Sequence, residues 1–273
     1  MTAREFNMKK LLSIVTLSAL LLAACGDDEA KNGAAEAKNK LEEIQAEGKI
    51  QIGLEGTFPP FSYHDESGDL TGFEYEIADQ IAKDLGVKAD YIETKWDSLI
   101  AGLDTDKYDF VINNVSITDE RKEKYDFTIP YMKSEAVLAV HSDNKDIKEP
   151  ADMDGKKSSQ TITSNFARDA EALGAEVVAT NDLMSSIELV IQGRADGTIH
   201  DRVTFLTYLK EQPNTKLKVL DRSINSTDIA LILNKKNDEF REKLNEIIKA
   251  RTEDGTFAAI SEKYFGENII SNK

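Results

Sequence analysis

The sequence predicts an α/β protein, and two observations lead there. From Ile50 onward, short apolar runs alternate with segments whose apolar residues recur every three or four positions, the pattern of βαβ units around a largely parallel sheet. A similar rhythm restarts after residues 136–140, so the chain holds two such sets. Composition agrees: 40% hydrophobic and 31% charged residues over 273 positions suit a globular protein of one large domain or two modest ones.

Taken in order, Ile50, Ile52 and Leu54 alternate as a strand should. Phe73, Ile77, Ile81 and Leu85 recur at helical spacing and stop at Gly86, a natural left-handed cap. Tyr91 and Ile92 make a short strand, Trp96, Leu99, Ile100 and Leu103 a helix face, and residues 108–112 another strand. The second set has a helix over 165–173, a strand over 177–179, a helix over 183–192 and a strand over 197–200. Residues 136–140 and 228–233 read as two short strands bracketing it. Two amphipathic helices close the chain, with Phe240, Leu244, Ile247 and Ile248 facing inward, then Phe257, Ile260 and Tyr264.

The first thirty residues differ in kind. Lys9 and Lys10 precede an apolar run over 11–22 that ends in Ala23, Ala24 and Cys25, which makes residues 1–24 a secretory signal, with Met8 the natural start. The run is shorter than the about 20 apolar residues that a membrane span needs. Leu22-Ala23-Ala24-Cys25 resembles the lipobox of bacterial lipoproteins, which implies cleavage before Cys25 and lipid on its thiol. Cys25 is the only cysteine, so no disulfide forms within the chain. Residues 25–44 hold few large apolar side chains and read as a tether with some helical character. Formal net charge is −16; residues 1–24 contribute +2 (Arg4, Lys9 and Lys10 against Glu5), leaving −18 without them. That balance disfavours nucleic acid and anionic lipid surfaces as partners.

Several motifs then fall in a telling order: Gly56-Thr57-Phe58-Pro59-Pro60-Phe61-Ser62, Gly72-Phe73-Glu74, Trp96-Asp97-Ser98-Leu99-Ile100-Ala101-Gly102-Leu103, Val115-Ser116-Ile117-Thr118-Asp119-Glu120-Arg121 and Asp126-Phe127-Thr128. Asp254-Gly255-Thr256-Phe257 and Lys263-Tyr264-Phe265 follow near the end. With these, the chain from about Ile50 to Phe265 resembles the amino-acid-binding proteins of bacterial ABC importers, solute-binding family 3. The Trp96 segment and Ser164-Asn165 look most like the cystine-binding members. The resemblance implies a two-lobe fold of the periplasmic-binding-protein type II, with mixed sheets and a ligand cleft between lobes joined by two hinge strands. It divides the chain into a first lobe of 45–137 and 228–273 and a second lobe of 138–227. It also implies a lipid-anchored protein on the extracytoplasmic face of the membrane, acting as a monomer and delivering ligand to an ABC permease.

An amino acid offers a carboxylate, an ammonium and a side chain, so its site needs an anion receptor, an acidic partner and a shaped wall. Arg121 falls in the first turn of a helix starting at Thr118, where a cation opposes the helix dipole unless an anion is brought to it. The competing reading is a solvated charge in the run 119–124. Asp201 follows a strand and is either an exposed helix cap or, by the resemblance, the partner of the ligand ammonium. Ser116 and Thr118 are helix-entry residues or additional carboxylate donors, with Asn114 beside them. By resemblance Phe58 and Trp96 line the side-chain pocket while Phe61 is structural. Ser164 and Asn165, after Thr163, would donate to ligand from a helix start. Here the chain departs from the family, with polar Ser158-Ser159-Gln160-Thr161 and Thr163 replacing an apolar strand and a glycine. His64, His141 and His200 lack metal-site spacing, and no phosphate loop or nucleophile elbow occurs, so neither cofactor nor metal is expected. Cystine is the favoured ligand, with glutamine or histidine as alternatives. A cleft enzyme such as a dehydratase on the same fold is the further alternative, for which no second acid or base beyond Asp201 stands out.

Overall fold

The computed structural model describes residues 39–271, so the expected signal, Cys25 and residues 25–38 of the expected tether lie outside the described residues. The chain enters through helix α1 (Lys40–Glu47), in which Asn39 and Glu42 form a capping box and Gly48 closes the end in the left-handed conformation. Residues 40–44, expected as tether, are therefore part of the folded body. Ile44 is buried in the core with Leu41 packed beside it, and these two side chains supply the apolar face that the preceding stretch lacks.

Strand β1 (Lys49–Leu54) leads to a small antiparallel sheet of β2 (Thr57–Phe58), β3 (Ser62–His64) and β4 (Leu70–Thr71). Helix α2 (Phe73–Leu85) buries Phe73, Ile77, Ile81 and Leu85 and ends on left-handed Gly86, as its spacing predicts. Its entry requires glycine: Gly72 has φ 127°, and a Cβ there would overlap the Phe61 carbonyl oxygen. Strand β5 (Lys88–Glu93) follows. The helix expected over 96–103 is shorter, because α3 (Trp96–Leu99) tightens into a 3-10 turn, Ile100–Thr105. The Tyr108 hydroxyl donates to the Leu99 carbonyl at 2.6 Å, occupying an acceptor that a longer α-helix would use.

Strand β6 (Phe110–Val111), helix α4 (Asp119–Lys124) and strand β7 (Tyr125–Phe127) come before the long strand β8 (Met132–His141). The second set alternates as expected: β9 (Lys157–Gln160), α5 (Asn165–Ala172), β10 (Glu176–Ala179), α6 (Leu183–Ile191), β11 (Gly197–Asp201) and α7 (Arg202–Glu211). Strands β12 (Leu217–Ile229) and β13 (Ile232–Asn234) and helices α8 (Asp238–Glu253) and α9 (Thr256–Phe265) complete the fold. Helix α8 buries Phe240, Leu244, Ile247 and Ile248, and α9 buries Phe257.

Two mixed five-stranded sheets form the lobes, ordered β5-β1-β6-β13-β7 and β10-β9-β11-β8-β12. In the first, β5, β1 and β6 are parallel and β13 is antiparallel to its neighbours. In the second, β10, β9 and β11 are parallel, and β8 runs antiparallel to β11 and β12. The two strands between the lobes are longer than the sequence suggests: β8 has 10 residues and β12 has 13, paired from His141↔Leu217 to Met132↔Ile229. Much of β12 is polar (Asp221, Arg222, Ser223, Asn225, Ser226), since a ribbon with one face in water needs no strict apolar alternation. The carboxyl ends of the parallel strands in each sheet point to the place where a ligand site belongs in such folds.

Candidate functional site

On the first lobe, β1 and β6 pair with Gly53 opposite Val111, which brings the residues that follow them together. The Glu55 N–H donates to Asn113 Oδ1 at 2.9 Å, and Asn113 Nδ2 donates back to Glu55 Oε2 at 2.7 Å. Burial, aided by repulsion from Asp182 and Asp97, pushes the Glu55 carboxyl up to about 7 against the pull of the Asn113 amide. Asn114 takes the left-handed conformation at φ 48°, and its N–H donates to Glu74 Oε1 at 2.6 Å. The Phe58 ring stacks on Phe61 with centroids 4.8 Å apart and meets the edge of His200 at 5.5 Å. Trp96 opens α3, its indole almost fully buried.

On the second lobe, the polar stretch that departs from the family forms strand β9, with Ser158, Ser159 and Gln160 all buried. Local hydrogen bonds tie them in. Ser159 Oγ donates to the Ser186 carbonyl at 2.8 Å, Gln160 Nε2 to Ser158 Oγ at 3.0 Å, and Thr198 Oγ1 to the Ser159 carbonyl at 2.8 Å. Ser164 caps α5 by accepting from the Ala167 N–H at 3.1 Å, and Asp182 caps α6 by accepting from the Ser185 N–H at 2.7 Å. His200 is packed between Phe58, Phe166 (4.5 Å) and Phe205 (6.0 Å), and burial pushes its pKa down to about 3, so the ring is neutral at neutral pH.

These two faces enclose a tight cavity of about 40 Å³, room for a few waters as it stands. Among its walls are Glu55, Asn113, Gln160, Asp182 and His200, together with five of the candidates named from sequence: Phe58, Trp96, Asn114, Ser164 and Asn165. Ser116, Thr118, Arg121 and Asp201 do not line it. Arg121, 6% exposed, lies with its guanidinium 5.3 Å from the Trp96 ring centroid, and its Nη1 donates to the Ser116 carbonyl at 2.9 Å. It faces a groove along the seam between the lobes, shared with Asp97, Glu120, Thr163 and Arg168. Burial, reinforced by Arg168, lowers its pKa to about 10. Thr118 acts as helix entry, accepting from the Arg121 N–H at 3.2 Å, and the Ser116 side chain is buried. Asp201 is fully buried directly after His200 and caps α7, accepting from the Thr204 N–H at 3.2 Å. Burial raises its pKa; the Ser134 hydroxyl is near enough to favour the charged form, without the geometry of a hydrogen bond.

Sequence reasoning passed over Glu55, Gln160, Asp182 and His200. Glu55, Gln160 and His200 lie at strand ends like Asp201, and Asp182 is the residue before a predicted helix, so the positional signal existed. His200 was visible only as a failed metal ligand. Several polar atoms in the cavity wall or behind it are buried with no hydrogen-bond partner among the described residues: donors Trp96 Nε1 and Arg121 Nη2, acceptors Asn114 Oδ1 and Asp201 Oδ2, the Ser134 hydroxyl beside Asp201, and His200 Nδ1. The lobes also touch at the seam, where Thr163 Oγ1 donates to Asp97 Oδ1 at 2.8 Å and Arg168 pairs with Glu120 at 2.5 Å.

Two α/β lobes whose strand ends face one another across a polar, aromatic-walled cavity define a binding protein for a small solute. The chain belongs to the bacterial extracellular solute-binding proteins, family 3, whose model matches residues 50–267. It is similar to the L-cystine-binding protein TcyA of Bacillus subtilis (strain 168), 37% identical over 260 residues that cover 95% of this chain and 97% of that one. Among solved structures, an ancestral arginine-binding protein bound to glutamine aligns with a TM-score of 0.76 at 33% identity, over 81% of this chain and 99% of that one. The L-cystine solute receptor of Neisseria gonorrhoeae, in its unliganded open conformation, is 39% identical over 85% of this chain and 99% of that one, with a TM-score of 0.59. The more similar sequence gives the lower structural score, which accords with lobes that meet at the seam in this chain.

Proposed function

We propose that this chain is the amino-acid-binding component of a bacterial ABC importer, with cystine its preferred ligand. The observation that carries the reading is the set of unpartnered buried atoms. Arg121 Nη2 and Trp96 Nε1 are donors suited to a carboxylate, and Asn114 Oδ1 and Asp201 Oδ2 are acceptors suited to an ammonium. Buried polar groups are ordinarily paired, so a zwitterion that pairs both kinds recovers their desolvation cost. For Arg121 and Asp201 to reach a ligand in the cavity, Trp96 and His200 must shift as the lobes part and close again.

Three features support cystine over a small amino acid. The cavity walls carry two acids, Glu55 and Asp182, which complement a second ammonium beyond the first clamp. Phe58 and Trp96 supply aromatic surfaces for a disulfide, each sulfur–aromatic contact being worth about 0.3–1.5 kcal/mol. Relatives named for cystine are 37% identical to this chain over most of its length. Lipid on Cys25 would hold the protein on the outer face of the cell membrane, beside the permease it serves. The test is calorimetric titration of protein freed of co-purifying ligand with cystine, cysteine, glutamine, histidine and arginine. Tight binding of cystine is expected; tight binding of glutamine or histidine with none of cystine would refute the ligand and keep the class.

A further inference from the structure

We propose that Glu74 is a positioning residue for ligand binding: its carboxylate holds the Asn114 turn in the left-handed conformation that sets the Asn114 side chain in the cavity wall, and ties that turn to the root of the connecting strands. The inference rests on the cavity being the ligand site. Glu74 itself does not touch the cavity and is fully buried in the first turn of α2. One of its oxygens, Oε1, accepts from the Asn114 N–H at 2.6 Å and also from the Tyr131 hydroxyl. Oε2 has no partner among the described residues.

Each contact has a consequence. Asparagine tolerates the left-handed region better than most residues, but the conformation still costs energy and persists only where its surroundings fix it. Here the fixing bond is the one to Glu74. Tyr131 immediately precedes β8; its N–H donates to the Ile229 carbonyl at 3.0 Å, at the end of β12, and its carbonyl accepts from the Ser271 N–H at 2.8 Å. A single carboxylate oxygen thus joins the cavity wall to the point where both connecting strands leave the first lobe. A role confined to filling space would be met at lower desolvation cost by an apolar side chain in the same volume.

The experiment combines hydrogen exchange at the Asn114 amide in the unliganded protein with affinity for whichever amino acid of the panel above the wild type binds. Leaving the buried Asn114 N–H without its acceptor gives about tenfold or more, so Glu74→Leu should speed Asn114 exchange and weaken ligand by at least about tenfold. Glu74→Gln keeps an acceptor and should restore both to within about threefold. In the Asn114→Gly background, where the backbone adopts this conformation freely, Glu74→Leu should cost less than about threefold in affinity. Additive penalties, or unchanged Asn114 protection in Glu74→Leu, would overturn the proposal. If Glu74→Leu does not fold, the wild type decides: an Asn114 amide exchanging as fast as an exposed loop amide overturns it, and a protected one supports it. Failure of the wild type to bind any amino acid would count against the proposed function and leave the exchange result readable.

Discussion

Arg121→Met should leave the unliganded protein about as stable as the wild type and deprive it of its response to ligand. Arg121 is 6% exposed, and burial, with repulsion from Arg168 added, lowers its pKa from 12.5 to about 10. The folded state therefore holds this proton less tightly than the unfolded chain does, so at every pH below 10 the charged side chain opposes folding. At about 1.36 kcal/mol per pKa unit the opposition is about 3 kcal/mol. Methionine would forfeit the charge-assisted bond to the Ser116 carbonyl and the contact with the Trp96 face, about 1.5 kcal/mol or more each. The two sides cancel to within about 1 kcal/mol, a change in Tm of no more than about 2–4 °C for a domain of this size. Ligand at a hundred times its Kd stabilises the wild type by about 2.7 kcal/mol, and losing the carboxylate's cation, at about 2–5 kcal/mol, would remove most or all of that. Differential scanning calorimetry with and without ligand measures both quantities. A variant that melts more than about 4 °C below the wild type yet keeps the full ligand shift would refute the reasoning.

Burial pushes both Glu55 and Glu74 up to about 7 from 4.5, so the folded state binds extra protons in that window and stability should fall as pH rises from 4.5 to 7. Melting of the unliganded protein at a higher temperature at about pH 5 than at about pH 7.5 is expected, with a flatter profile in Glu74→Gln; the opposite slope in the wild type would contradict it. Gly72→Ala forces a side chain into φ 127° against the Phe61 carbonyl and should lower urea stability by at least about 1–3 kcal/mol; an unchanged midpoint would show that α2 can enter another way. Arg168→Gln removes an ion pair whose members are 47% and 61% exposed, so the effect should be small, about 0.2–1 kcal/mol. Stopped-flow ligand release should quicken by up to about fivefold at low salt and match the wild type near 1 M salt, and a difference that ignores salt would exclude a closing role for the pair.

The regular elements were legible because their apolar residues keep strict periods. Phe73, Ile77, Ile81 and Leu85 on α2 and Phe240, Leu244, Ile247 and Ile248 on α8 are buried as their spacing demands. What escaped was structure whose stability comes from elsewhere. Strand β12 is polar because β8 supplies its partner, and α1 is a helix because two residues reach an existing core. The cavity wall was half legible for a related reason. Phe58, Trp96, Asn114, Ser164 and Asn165 sit where chain order puts them, at turns and helix starts. Arg121 and Asp201 were found as charges, but whether a charge faces a cavity or lies behind an aromatic ring depends on side-chain packing that no local pattern encodes.

Helix α1 has a mechanical meaning. Its caps, its buried Ile44 and its contact with α8 join it to the first lobe before β1 begins. Tension arriving from upstream of residue 39 would be loaded onto that rigid half and would bypass the two strands that must bend. Both ends of the described chain sit with the first lobe, where Ile270 bridges to Met132. The chain passes between the lobes only through the β8–β12 ribbon, so a pull applied at residue 39 would leave the second lobe's swing unloaded.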